Sequence, residues 1–125
     1  MNARFHAKRV GQGMCVVTGE RKADAETAED LREALSAAVA KGCKRVLVDL
    51  QESDHVDPLV LGAILGSQRR LVRFGGEMAV ACGNANGWAD LERAALPRLM
   101  TAFEDRTEAF EWLGTDVKEI PGNPR

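Results

Sequence analysis

The sequence predicts a single α/β domain over residues 1–115, with a mixed, mostly parallel β-sheet opened by a β-hairpin and about four helices packed on it. Three observations carry that prediction. Two strand-like runs flank Gly11-Gln12-Gly13, which is a hairpin signal with a three-residue turn. Short apolar runs then alternate with helical patterns, which calls for parallel strands joined by right-handed crossovers. Finally, residues 46–50, Val-Leu-Val-Asp-Leu, are short, β-branched and apolar, as in a strand buried on both faces.

The hairpin strands are residues 5–10 and 14–19. Arg4, His6, Lys8 and Arg9 leave the first strand little apolar surface, so it belongs at a sheet edge, where cations also discourage strand addition. Residues 20–26 form a polar connection. Thr27 offers a capping box with Asp30, and Ala28, Leu31, Leu35, Ala38 and Val39 repeat at helical spacing, with Glu29, Asp30, Arg32 and Glu33 facing out. Gly42 ends this helix. The central strand at 46–50 follows, then a polar loop at 51–57. Asp57 is a favoured N-cap and Pro58 suits the first helical position, so a helix opens there and runs to about Phe74, ended by Gly75-Gly76. Residues 78–82 are a further buried strand, 83–87 a flexible Gly/Asn-rich loop and 88–95 a short helix. Residues 99–103 are the last strand, and 106–113 a final helix with Ala109, Phe110 and Leu113 inward. Residues 116–125 read as a C-terminal tail.

Composition narrows the function classes. Apolar residues make up 45% and charged residues 29% of the 125, ordinary for a globular protein. A net charge of −2 provides no basic field for a nucleic acid backbone. No run of about 18 apolar residues exists to insert into a membrane, and the N-terminus lacks the apolar core of a secretory signal. Cytoplasmic residence is therefore the expectation. Cys15, Cys43 and Cys82 are odd in number and lack metal-ligand spacing. They read as small buried apolar residues.

Several pieces, taken in order, carry a family resemblance. They are Gly19-Glu20 ending a strand, Thr27-Ala28-Glu29-Asp30-Leu31 in the first long helix, and Val46-Leu47-Val48-Asp49-Leu50. Val56-Asp57 with Leu61-Gly62-Ala63-Ile64-Leu65-Gly66 follows, then Gly75-Gly76-Glu77-Met78 leading into a strand. Over roughly residues 8–114 the chain resembles the STAS domain, the fold of bacterial anti-sigma factor antagonists and of the cytoplasmic tails of sulfate transporters. The family signature at the loop–helix junction is Asp-Ser-Ser-Gly-Leu-Gly or a close variant. Here it reads Asp57-Pro58-Leu59-Val60-Leu61-Gly62, so Asp57, Leu61 and Gly62 match while both hydroxyl positions and the first glycine differ. In the antagonists the first hydroxyl is phosphorylated by a partner kinase that is also the anti-sigma factor. Pro58 holds that position and cannot accept a phosphate. A switch worth roughly −1.5 to −2 charges is therefore absent at residue 58, while the helix-opening role survives.

The residues point the same way without the family. Residues 58–66 carry no polar side chain, so some of Leu59, Val60, Ala63 and Gly66 are expected to face away from the sheet, either covered by the loop 51–54 or a neighbouring helix or exposed as an apolar patch, the mark of a partner surface or of homodimerisation and the reading favoured here. The expected partner-binding set is Asp57, Pro58, Leu59, Val60, Leu61, Gly62 and Ala63, with His55 beside it. Gly62 and Gly66 are expected to let helix and sheet approach closely. Ser53 and Ser67 are the remaining hydroxyls near the junction that a kinase could use. Trp88 is either an interface anchor or a core or lid residue.

Chemistry is the weaker account. Asp49, Asp54 and Asp57, with Glu52 and His55 nearby, could hold Mg²⁺. Yet Asp57 is explained as a cap, Glu52 and Asp54 as solvated loop charge, and Asp49 as a strand-end residue. A Cys82–His55 nucleophile pair has no visible oxyanion device. Residues 83–87 lack the lysine and spacing of a phosphate loop.

The resulting expectation is a non-enzymatic binding module resembling an anti-sigma factor antagonist, with no catalytic residues, cofactor or metal. Its partner would be an anti-sigma factor or kinase-like regulator, and no nucleic acid. The second expectation is an accessory STAS subunit touching a membrane transporter of sulfate or ABC type. The third, of another class, is a small Mg²⁺-dependent or thiol enzyme.

Overall fold

The computed structural model describes residues 5–19, 22–51 and 53–114. The expected tail at 116–125 and Glu52 lie outside them. The chain runs β1 (Phe5–Arg9), β2 (Met14–Gly19), β3 (Lys22–Ala23), a 3-10 turn (Ala25–Thr27), α1 (Ala28–Ala40) and β4 (Arg45–Asp49). It continues through β5 (His55–Val56), α2 (Pro58–Arg73), β6 (Glu77–Ala81), α3 (Ala85–Arg93), α4 (Leu96–Leu99), β7 (Thr101–Phe103) and α5 (Arg106–Trp112).

The main sheet has five strands in the order β1-β2-β4-β6-β7. Among the described residues, β1–β2 is the antiparallel pair of this sheet; β2–β4, β4–β6 and β6–β7 are parallel. The hairpin and the crossover pattern are thus as the sequence implies, with β1 at an edge. The three-residue turn closes with the Val10 N–H on the Met14 carbonyl at 2.9 Å, and Gly11 and Gly13 take positive φ values of 98° and 68°.

The pleat divides the core in two. Cys15, Val17, Val46, Val48, Met78 and Val80 point to the face covered by α1 and α2, with Leu91 and Leu96 of α3 and α4 in the same cluster. Met14, Val16, Leu47, Ala79 and Ala81 point to the opposite face, where Ala109, Phe110 and Leu113 close it. Strand β4 is buried on both faces because helices lie on both.

Four features depart from expectation. The segments read as polar connections pair with each other: β3 and β5 form a two-stranded parallel ladder, Lys22 opposite His55 and Ala23 opposite Val56. The capping box at Thr27 does not form. Asp24 accepts the Thr27 N–H at 3.1 Å and caps the 3-10 turn, the Thr27 hydroxyl donates to the Asp24 carbonyl at 2.9 Å, and Thr27 makes no side-chain cap on α1. Between β6 and β7 lie two helices, giving five among the described residues rather than about four. Asn84 caps the first by accepting from the Asn86 and Gly87 N–H groups, so α3 starts within the expected loop. Ala95, at φ 60°, turns the chain into α4.

The fourth departure is covalent. Cys15 and Cys43 are buried as expected but joined, with sulfurs 2.02 Å apart and Cα atoms 6.0 Å apart. Adjacent strands β2 and β4 explain the proximity: the turn before β4 folds back, Cys43 N–H onto the Ala38 carbonyl at 3.1 Å, and delivers Cys43 beside Cys15.

Candidate binding face at the start of α2

The site begins where β5 hands over to α2. The Asp57 N–H donates to the Ala23 carbonyl at 2.8 Å, which ties the junction to the small ladder. Asp57 holds an extended backbone, and its carboxylate accepts the Leu59 N–H at 2.8 Å, so it is the N-cap. Pro58 takes the first helical position, where no N–H is required.

The outer face of the first turns is Pro58, Leu59, Gly62 and Gly66, all exposed, with Leu65 half-buried. Leu59 is 56% exposed, while Val60, Leu61 and Ala63 are at most 4% exposed and belong to the main core. The sequence-based set is therefore split by the helical period. Val60, Leu61 and Ala63 fall on the sheet side, so neither Val60 nor Ala63 contributes to an outward patch. The glycines correct another expectation. A Cβ at Gly62 or Gly66 would meet nothing within 4 Å, so neither glycine serves a close approach to the sheet. Both point outward and leave the face shallow and without a polar side chain.

A groove of about 380 Å³ flanks this face, lined by His55, Val56, Pro58, Leu61, Asp90, Arg93 and Ala94. Asp90 organises it. Its carboxylate accepts the Val56 N–H at 2.9 Å and the Arg93 guanidinium at 2.5 Å, and its Oδ2 lies 2.9 Å from His55 Nδ1. The Val56 N–H, then Arg93 and His55, hold its carboxyl below the usual range against a burial effect of opposite sign. Asp90 thus pins α3 to β5 at the groove. Sequence reading missed it: the Asp90–Arg93 spacing is visible, but the bond to Val56 spans 34 residues.

Among the described residues, the groups considered for chemistry are placed as follows. Asp49 is buried at the strand end, its Oδ1 on the Gln51 N–H at 3.0 Å and its Oδ2 3.6 Å from Arg106. Among the described residues, no three His, Cys, Asp or Glu side chains converge where a metal ion could sit. Cys82 is fully buried, and burial pushes its thiol up to about 11, away from the thiolate a nucleophile needs. His55 is turned to Asp90 instead. Ser53 and Ser67, the hydroxyls considered for a kinase, are both buried. Trp88 packs half-buried against the main core. Among the described residues, no helix is long and apolar enough to cross a membrane.

The sequence profile of the STAS domain matches residues 7–109. Among solved structures, an anti-sigma factor antagonist from Mycobacterium paratuberculosis aligns with a TM-score of 0.77 at 17% identity, covering 88% of this chain and 92% of that one. The Bacillus cell fate determinant SpoIIAA in its phosphorylated form aligns with a TM-score of 0.65 at 18% identity, covering 87% and 98%. A sulfate transporter family protein from Wolinella succinogenes aligns with a TM-score of 0.70 at 14% identity, covering 86% and 89%. No curated protein matches. The fold is shared by both groups, and the profile covers most of the chain: this protein belongs to the STAS domain family.

Proposed function

We propose that the protein is a non-enzymatic binding module that docks a regulatory protein of the anti-sigma type through His55, Asp57, Pro58, Leu59 and Gly62. The observation that carries this reading is Leu59, 56% exposed on a helix start whose outer face has no polar side chain. The fold shared with anti-sigma factor antagonists supports it. The buried, protonated Cys82 and the engaged Asp49 and Asp57 favour binding over catalysis. Pro58 makes the docking constitutive: the position that takes the phosphate in the family's antagonists here has no hydroxyl, and Ser53 and Ser67 are buried.

A second reading is an accessory STAS subunit of a membrane transporter, favoured by the fold shared with the Wolinella sulfate transporter family protein. Affinity capture from the source organism, with Leu59→Asp as the paired control and mass spectrometry as the readout, separates the two. Loss of a kinase-like regulator from the Leu59→Asp capture supports the first reading. Loss of transporter subunits supports the second. Identical captures from both forms refute docking through this face.

A further inference from the structure

The other end of α2 carries a different surface. Both α1 and α2 follow strands of the parallel sheet, so they run side by side in the same direction and their C-terminal ends meet. An apolar groove runs between them. Its middle, about 180 Å³, is lined by Leu35, Ser36, Val39, Ala40, Ser67 and Arg70. Its end, about 300 Å³, is lined by Val39, Gly42, Cys43, Lys44, Leu71 and Phe74. Val39 belongs to both, so the two are continuous. Phe74 is 63% exposed and Val72 49%.

The rim is cationic. Arg69, Arg70, Arg73, Lys41 and Lys44 are all exposed, and residues 58–76 contain no Asp or Glu, in a chain of net charge −2. Among the described residues, no ion pair or hydrogen bond engages Arg69, Arg70 or Arg73, whereas Lys44 donates to the Phe74 carbonyl at 2.6 Å. The nearest acids in sequence on these elements are Glu77, at the start of β6, and Glu33 on α1, exposed one turn before Ser36; Glu29 is paired with Arg32 at 3.3 Å. A helix dipole favours cations in its last turn. It does not explain why they border an apolar groove, nor why α2 itself carries no acid to balance them.

We propose that this groove docks an acidic amphipathic segment of a partner protein, with its apolar side chains between α1 and α2 and its carboxylates on Arg69, Arg70 and Arg73. Charge complementarity selects the acid, and shape selects a peptide over a lipid surface. The apolar floor, Leu35, Cys43 and Leu71, is recessed and at most 2% exposed. A flat bilayer meets the projecting Val72 and Phe74, while the groove beside them, about 180 Å³ and 300 Å³ in its two parts, has room for side chains of a bound segment. The surface is independent of the face at Leu59, which lies ten residues earlier, about 15 Å along the helix.

The test is to pan a displayed library of random peptides against the wild-type protein, with the triple variant Arg69→Glu, Arg70→Glu, Arg73→Glu as counter-target. Enriched peptides should interleave Asp or Glu with Leu, Ile or Phe. Their synthetic forms should bind the triple variant at least about tenfold more weakly and weaken as salt rises. Phe74→Ser, which leaves the charge untouched, should also weaken them, and Leu59→Asp should not. Far-UV melting of each variant establishes that it is folded. Peptides that bind wild type and triple variant alike, or enrichment of basic or neutral peptides, overturn the proposal, as does a failure to enrich any. Vesicles of phosphatidylserine and phosphatidylcholine form a separate arm. Their capture of the wild-type protein but not the triple variant, without peptide enrichment, assigns the face to a membrane and also overturns it.

Discussion

Reducing the Cys15–Cys43 bond should lower the melting temperature by about 14 °C. The bond closes a loop of 28 residues in sequence. In the chain-entropy account, a crosslink removes about 2.1 + 1.5R ln n cal/mol/K from the unfolded ensemble. For this loop that is about 12 cal/mol/K, or about 3.6 kcal/mol at 25 °C. Reduction leaves both sulfurs buried in the same core, so the transfer contribution is nearly unchanged and the entropic part dominates. A folded chain of this length unfolds with an entropy of about 0.26 kcal/mol/K, from about 2.1 cal/mol/K per residue, which converts 3.6 kcal/mol into about 14 °C. The assay is calorimetry with and without a phosphine reductant, on protein whose thiols have been counted by alkylation and mass spectrometry. A protein with one free thiol whose melting temperature is unmoved by reduction refutes the energetic argument. Three free thiols in protein purified without reductant refute the pairing itself. The outcome also bears on compartment, since disulfides persist where conditions are oxidising and are rare in the cytosol.

Other consequences follow from particular contacts. Asp90→Ala leaves the Val56 N–H without its acceptor and should cost about 1–3 kcal/mol in urea unfolding at neutral pH. Because the folded state lowers the Asp90 carboxyl below its unfolded value near 4, the associated stability is present above that pH. It is lost as pH falls through the lower folded value. Urea midpoints between neutral pH and pH 3 should therefore fall more for wild type than for Asp90→Asn. Gly62→Ala should stabilise the protein by about 0.5–1 kcal/mol, because the new Cβ meets open space within a helix; a destabilised variant would mean that the face is already covered.

The hairpin, the doubly buried central strand and the Asp57-Pro58 helix start were all legible in the sequence because each rests on local chemistry. Two glycines permit a tight turn, β-branched runs suit a strand covered on both sides, and a cap followed by proline starts a helix whatever surrounds it. The family signature was legible for the same reason, being contiguous. Which of residues 58–66 face outward depends on helix phase, and with no polar residue in that stretch the sequence contained nothing to set it. Only packing on the sheet assigned Val60, Leu61 and Ala63 inward and Leu59, Gly62 and Gly66 outward. The rest was decided by proximity between distant segments. Cys15 met Cys43 because β2 and β4 are neighbours, and Ala23 met Val56 because two short extended stretches each needed a backbone partner. Asp90 met the Val56 N–H because α3 packs against β5. Local pattern sets where elements begin and what they can become, whereas pairing across tens of residues exists only once the sheet order has brought those segments together.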